Sequence, residues 1–494
     1  MKMVKSLLLG SAAGLIAVAG AQAADLPVKA KAVEYVKVCS LYGVGYYYIP
    51  GTDTCIKIGG YVRFEAYHNY PQQNAGYPER LNNIGFFTRH SNTFATQARF
   101  RLTADVRTQT EYGTLRAYFA FGLNAANASY ENSPTALTTA MERAFIQFAG
   151  FTIGRSDTFF AFYNGAAYGL IPMFLDGSSG PAGHNVFAYT WQFGNGLSAS
   201  VSIEDANGSR VKPIIDLSAS SLYGLSDQAG QKVPDIVANL RVDQAWGSAQ
   251  IMGALTQVQG RYFTNSPANV ACGAQPNTTA CGHPGDEWGW AVGAGLTLKM
   301  PWDPKDTLSG VIAYGEGATQ FVAYGQSGAF LHKQDVATGA LANAVYANPN
   351  TIGGYGGGLE LTESWGGTVA FEHYWTPSLR TSWVFGYIDV SYNETAKALI
   401  AAGGCAGGTG GGSPLTAVTS CDPDWSLWRV ASRTMWNPVA NLDVGVEVAY
   451  TKVNTAFGGP GTILGGNGLA GGNYLIDDQS VWSAAVRVQR SFWP

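Results

Sequence analysis

The stretch Ala98-Arg99-Phe100-Arg101-Leu102-Thr103-Ala104-Asp105-Val106-Arg107 decides the fold class. Its even positions are apolar or small. Its odd positions are Arg, Arg, Thr, Asp and Arg. On an extended chain successive side chains point to opposite faces, so one face suits hydrocarbon and the other water. A soluble sandwich gives the same alternation, because its apolar face packs on a second sheet.

Working outward from this segment, spacing separates the two. The alternation predicts strands near 56–70, 93–108, 112–124, 139–150, 151–158, 185–194, 196–206, 236–244, 246–259, 287–299, 306–317, 366–376, 379–391, 425–437, 439–452 and 478–492. That is about sixteen, most of them long enough to cross a bilayer at a tilt. Their connections alternate between short and long. Short ones include Gln109–Glu111, the Gly150 turn, Gly194–Gly196, Ala245, Pro301–Lys305, Pro377–Ser378 and Pro438. Long ones lie around 71–92, 125–138, 159–184, 207–235, 260–286, 318–365, 392–424 and 453–477. A sandwich has no reason to keep that rhythm, whereas a transmembrane barrel has short turns at one end and long loops at the other. Tryptophans mark the strand ends. Trp191, Trp246, Trp302, Trp375, Trp436 and Trp493 sit by short turns or the C-terminus, and Trp288, Trp365 and Trp425 where long loops rejoin strands. Two such belts are expected where rings meet the two membrane interfaces.

Composition agrees. Of 494 residues 13% are charged, about half the usual share. Gly accounts for 63 residues and aromatics for 13%. This excludes a disordered chain and, with Lys+Arg at only 30, makes nucleic acid a poor partner. Residues 1–23 read as a secretory signal, with Lys2 and Lys5, an apolar stretch from Leu7 to Ala19, and the small-x-small site Ala21-Gln22-Ala23. No later run approaches the ~18 apolar residues of a membrane helix. An exported chain that still spans a membrane must then do so as a closed barrel. The long loops, such as Gly353–Gly358 and Gly403–Gly412, are rich in Gly, Asn and Ala and read as external.

Six cysteines fall in three local pairs: Cys39 with Cys55, Cys272 with Cys281, and Cys405 with Cys421. In an exported protein these read as three local disulfides, the first closing an N-terminal periplasmic segment, 24–55, ahead of the barrel at 56–494. No CxxC, HExxH or GxSxG occurs, and nothing asks for a metal or another cofactor. His90 and His184 fall in loops without a neighbouring nucleophile context, so an enzyme is not expected. Asp286-Glu287 and Asp477-Asp478 read as solvated edges, with loop calcium as the alternative.

The run Val38-Cys39 … Tyr48-Ile49-Pro50-Gly51-Thr52-Asp53-Thr54-Cys55-Ile56-Lys57-Ile58-Gly59-Gly60-Tyr61-Val62-Arg63 resembles the N-terminal signature of alphaproteobacterial general porins, the rhizobial type. The resemblance implies a homotrimer of sixteen-stranded barrels in the outer membrane. It would lie in lipid and lipopolysaccharide, pass small hydrophilic solutes and ions, and be recognised by the barrel-assembly machinery through its C-terminal strand. Such porins end on Phe, whereas here Phe492 is followed by Trp493-Pro494.

A sixteen-stranded barrel leaves an aqueous channel that something must narrow. The third long loop is the candidate. Gly154-Arg155-Ser156-Asp157-Thr158-Phe159-Phe160-Ala161-Phe162-Tyr163 and Ile171-Pro172-Met173-Phe174-Leu175-Asp176-Gly177 are too apolar for a loop in water. The expectation is a loop folded inward, with Asp157 and Asp176 facing the lumen. Alternation puts Arg63, Arg99, Arg101, Arg107 and Arg143 on the inner wall, with Arg116 beside them. The resemblance implies that Arg143, and Arg99 with it, hold constriction positions. Cationic side chains are tolerated in a lumen but cost about 2–4 kcal/mol each at the lipid midplane. The alternative is a substrate-selective channel for sugars or another nutrient, which needs an aromatic track; Tyr61, Tyr67 and Tyr118 are its inward candidates.

Overall fold

The computed structural model describes residues 38–69, 93–127, 136–163, 167–171, 183–205, 214–217, 227–263, 281–323, 328–332, 335–349, 357–402, 415–416, 418–463 and 472–492. Sixteen strands form the wall: β1 Cys55–His68, β2 Phe94–Thr110, β3 Gly113–Ala126, β4 Ala136–Phe148, β5 Phe151–Ser156, β6 His184–Gly194, β7 Leu197–Glu204 and β8 Asp235–Gln244. They continue as β9 Gly247–Val258, β10 Glu287–Lys299, β11 Thr307–Glu316, β12 Glu360–Thr376, β13 Leu379–Tyr392, β14 Trp425–Trp436, β15 Leu442–Asn454 and β16 Gln479–Phe492. Each pairs antiparallel with the next. Pairing of β16 with β1, from Gly60 opposite Phe492 to His68 opposite Ala484, closes the barrel and leaves no sheet edge.

Alternation sorts the faces as the sequence predicts. Val62, Phe64, Phe119, Ile251, Val369 and Val486 point outward and are exposed. Arg99, Asn124, Gln250, Arg429 and Glu447 point inward and are buried. Such an inside-out surface is stable only in hydrocarbon. Short turns need backbone that few residues adopt. Ala149 and Gly150 take φ of 49° and 89° between β4 and β5, the twist that a two-residue hairpin requires. Exposed Trp191, Trp246, Trp302, Trp375 and Trp436 ring the short-turn end, with Trp288, Trp365 and Trp482 at the other. Trp425 departs from the expected belt. It is buried, and its indole N–H donates to the Ala340 carbonyl at 2.7 Å.

Cys39 and Cys55 form a disulfide with Cα atoms 6.1 Å apart. Cys281 and Cys421 are each disulfide-bonded as well. Cys272 and Cys405 lie outside the described residues, so the two outer pairings remain expectations.

Candidate functional site: the lumen

Two segments here fold onto the inner wall. The first precedes β1. Tyr47–Tyr48 pairs with the start of β1, and Tyr46 is buried against lumen-facing side chains. The Arg107 guanidinium lies 5.2 Å from the Tyr46 ring and 5.6 Å from that of Tyr42. Burial, then the hydrogen bond and charge of Asp105, push the Tyr46 phenol up to about 12. The disulfide fixes this segment at the short-turn end of the lumen.

The second is the third long loop, which folds inward as expected. Its apolar residues meet a wall that is itself apolar. The inward residues of β8–β11 include Val237, Met252, Ala254, Ala291, Val311 and Ala313, and they form one cluster with Phe160 and Phe162. Phe162 lies against Gly295, where a Cβ would sit 2.2 Å from its ring, so only glycine leaves room. Polar contacts then carry the loop round the wall. Phe159 N–H donates to Glu204 at 2.8 Å, and Asn239 donates to the Phe159 carbonyl at 2.6 Å. The Tyr163 hydroxyl meets Thr368 at 2.5 Å, and Ser382 donates to the Tyr168 carbonyl at 2.7 Å. Arg433 reaches the Ala167 carbonyl at 3.0 Å. Finally Glu447, buried on β15 and paired with Arg429 at 3.1 Å, accepts the backbone N–H groups of Leu170 and Ile171. Gly293 and Thr368 stand near the middles of β10 and β12, so the loop crosses the lumen at about mid-height.

The opposite arc, β16 and β1–β4, carries charge. Arg63, Arg99, Arg101, Arg143 and Arg487 stand there with the acids Glu65 and Glu142. Arg63 lies directly across from Arg99 in the register, and Tyr61 from Arg101. A bulge brings in one of the acids. Ala120 pairs with Arg143 and Phe121 with Met141, so Glu142 is the extra residue on β4, and both it and Arg143 reach the lumen. Glu142 accepts from Arg101 Nε at 2.7 Å and also pairs with Arg99. Glu65 accepts from Arg487 Nε at 2.6 Å. Arg63 donates to Gln489 at 2.8 Å and stacks 4.5 Å over Tyr61.

The structure thus places the expected residues unequally. The Arg101 and Arg63 side chains keep 28% and 20% of their surface exposed, while Arg99 and Arg143 keep only 7% and 10%. Asp157, at the root of the third loop, pairs with Arg143. Asp176 lies outside the described residues. Arg107 and Arg116 sit lower and share Asp105, at 2.9 and 2.8 Å. Glu65, Glu142, Glu447 and Arg487 were not singled out from sequence. Inward parity was a sufficient signal for all but Glu142, whose parity the bulge conceals. Asp286 pairs with Lys232 and Asp478 with Lys452. Among the described residues, no three His, Cys, Asp or Glu side chains gather as a metal site.

Comparison with known proteins agrees with this geometry. A family profile described as the porin subfamily matches residues 25–483. A porin Omp2b of Brucella suis is 29% identical over 391 residues, covering 75% of this chain and 99% of the relative. The porin Omp2b of Brucella abortus strain 2308 is 32% identical over 318 residues, 60% of this chain and 81% of the relative. Among solved structures, the outer membrane channel DcaP of Acinetobacter baumannii shares the fold, with a TM-score of 0.55 at 15% identity over 90% of this chain and 99% of that one. A closed barrel with an apolar exterior and a charged inner arc, together with this match along most of the chain, makes the protein a member of the porin subfamily: an integral β-barrel channel of the outer membrane.

Proposed function

We propose that the channel passes small hydrophilic solutes and ions by diffusion, with a bias toward anions set at mid-height. The arginine arc carries the reading. Five guanidinium groups stand there against three carboxylates, Glu65 and Glu142 of the wall and Asp157 of the third loop, which otherwise lines the opposite side. In a narrow, low-dielectric passage such an excess raises the local concentration of the opposite charge. Arg101 and Arg63, the more exposed, meet the solute. A sugar track has less support, because its candidate rings are occupied. Tyr61 lies under Arg63, Tyr118 stacks on Phe145 at 5.2 Å, and Tyr67 is buried with Leu170 and Ile171.

The same reading makes residues 1–23 an export signal and the short turns periplasmic. It makes the chain a homotrimer. Every tryptophan lies at or after residue 191, so the outward face of β1–β5 carries none, and the exposed rings there are Phe64, Phe94, Tyr112, Phe119 and Phe151. That face suits a second copy of the chain, and the remainder suits lipid and lipopolysaccharide. Phe492 stacks on Phe100 at 6.2 Å across Gly60 and presents an aromatic end of the last strand to the assembly machinery.

The test is the reversal potential of purified channels in planar bilayers under a salt gradient. The expected result is anion preference in the wild type that moves toward cations in Arg101→Gln. It should fade at high salt, where the Debye length falls to about 3 Å at 1 M. A cation-selective wild type, or an Arg101→Gln channel with an unchanged potential, would sink the reading.

A further inference from the structure

The sixth long loop, read from sequence as an external connection over 318–365, spans 317–359, and its described residues are folded into the mouth. Thr319, Gln320 and Phe321 are essentially inaccessible, as are Val336–Ala340 and Ala344–Tyr346. On one side a chain of buried hydrogen bonds ties the loop to the wall. Asn343 accepts from Thr319 N–H at 3.0 Å and donates to Gln320 at 2.8 Å. Gln320 donates to Thr256 of β9 at 3.3 Å, and Thr256 to Asp235 of β8 at 2.6 Å. Across the mouth, the Ala340 carbonyl accepts from Tyr392 at the end of β13 and Trp425 at the start of β14, at 2.8 and 2.7 Å. The Val336 carbonyl accepts from Asp477 N–H, just before β16, at 3.0 Å. Below, the Phe321 ring meets Phe160 of the third loop with centroids 5.0 Å apart.

We infer that this loop is a second, docked selectivity element. It covers the β8–β16 side of the long-loop mouth, directs solutes to the side bearing Arg63, Arg99 and Arg101, and seats the third loop through Phe321. The polar pins are what distinguish a docked element from a loop merely resting in the opening. Undocking would break the buried Gln320–Thr256 link and strip the Tyr392 hydroxyl and the Trp425 indole of the Ala340 carbonyl they share. The apolar contact does a different job. Phe321, Phe160 and the β8–β11 wall form one cluster, so moving either loop uncovers the other.

The inference rests on the channel reading, which wild-type conductance tests separately. Purified trimers with residues 319–345 replaced by a short Gly-Ser linker should show higher conductance. In liposome-swelling assays they should admit neutral sugars too large for the wild type. Anion preference should weaken, because the path no longer hugs the arginine side. The double variant Gln320→Ala/Asn343→Ala keeps the loop but removes its pins, and should raise current noise with the trimer intact. If the linker variant fails to assemble, the double variant decides. Wild-type conductance, noise and size limit in whichever variant assembles would overturn the inference.

Discussion

Glu142 Oε2 accepts a hydrogen bond from Arg101 Nε at 2.7 Å, while its other oxygen pairs with Arg99. One carboxylate thus answers two arginines of the neighbouring wall. Its removal should do more to the field of the lumen than removal of any one exposed charge. Replacing Glu142 with Gln should shift the reversal potential further toward anions, opposite in sign to Arg101→Gln. The buried Arg99 guanidinium loses its ionic partner, at a cost of about 1–3 kcal/mol. The barrel should therefore unfold at a lower temperature while still assembling. A shift toward cations would show that Glu142 is not the counter-charge of this arc.

Glu447 holds the far end of the third loop through the Leu170 and Ile171 N–H groups. Glu447→Gln keeps an acceptor oxygen and should preserve the loop, whereas Glu447→Ala leaves two amides and Arg429 without it. The alanine variant should give noisier, larger current steps, and the glutamine variant steps close to wild type. Single-channel recording separates them. Equal behaviour of the two would mean that the loop is held elsewhere.

The sixteen strands were legible because a lipid–water partition forces strict alternation, as in Ala98–Arg107. Most ends fall within two or three residues. The exceptions are informative. The first residues of β12, Glu360-Leu361-Thr362-Glu363-Ser364, carry acids that look like loop, yet Leu361 and Glu360 pair with Ala344 and Val345 of the sixth loop. Alternation assigns one face to water and cannot tell when protein fills that space. The apolar inward residues Met252, Ala254, Ala291 and Val311 were the available sign that loops cover β8–β11. Ala337-Thr338-Gly339-Ala340 lies in the long connection 318–365, and such connections, rich in Gly, Asn and Ala, read as external. Small residues are also what close packing needs, and a Cβ at Gly339 would lie 2.1 Å from the Trp425 ring. Glu142 was hidden because a bulge resets the parity that inward assignments depend on.

The Gly295 and Phe162 contact gives a packing test. A methyl group at Gly295 cannot coexist with the ring, and such overpacking costs about 1–3 kcal/mol. Gly295→Ala should displace the third loop and change conductance without stopping barrel closure, since the strand pairing is untouched. Adding Phe162→Ala removes the clash and should restore part of the lost thermal stability. If the double variant is no more stable than Gly295→Ala, the ring is not what occupies that space.

The connection between β10 and β11 carries the last prediction. Asp306 is fully buried there. It accepts from Tyr374 N–H at 2.8 Å and from the Trp302 indole at 2.8 Å, and it bonds His373 Nδ1 at 2.6 Å. Burial alone would raise its carboxyl, but these bonds outweigh it and hold the group below its ordinary 3.8. A carboxylate held below its unfolded value adds stability above that value and loses it as pH falls through the folded one. The wild type should therefore be more heat-stable than Asp306→Asn at neutral pH. The gap between them should persist down to about pH 4 and narrow below it, as Asp306 takes up its proton. Thermal unfolding of the barrel across pH 2–7 measures that gap. A difference independent of pH throughout would show that the bonds, and not the charge, account for the stability that Asp306 confers.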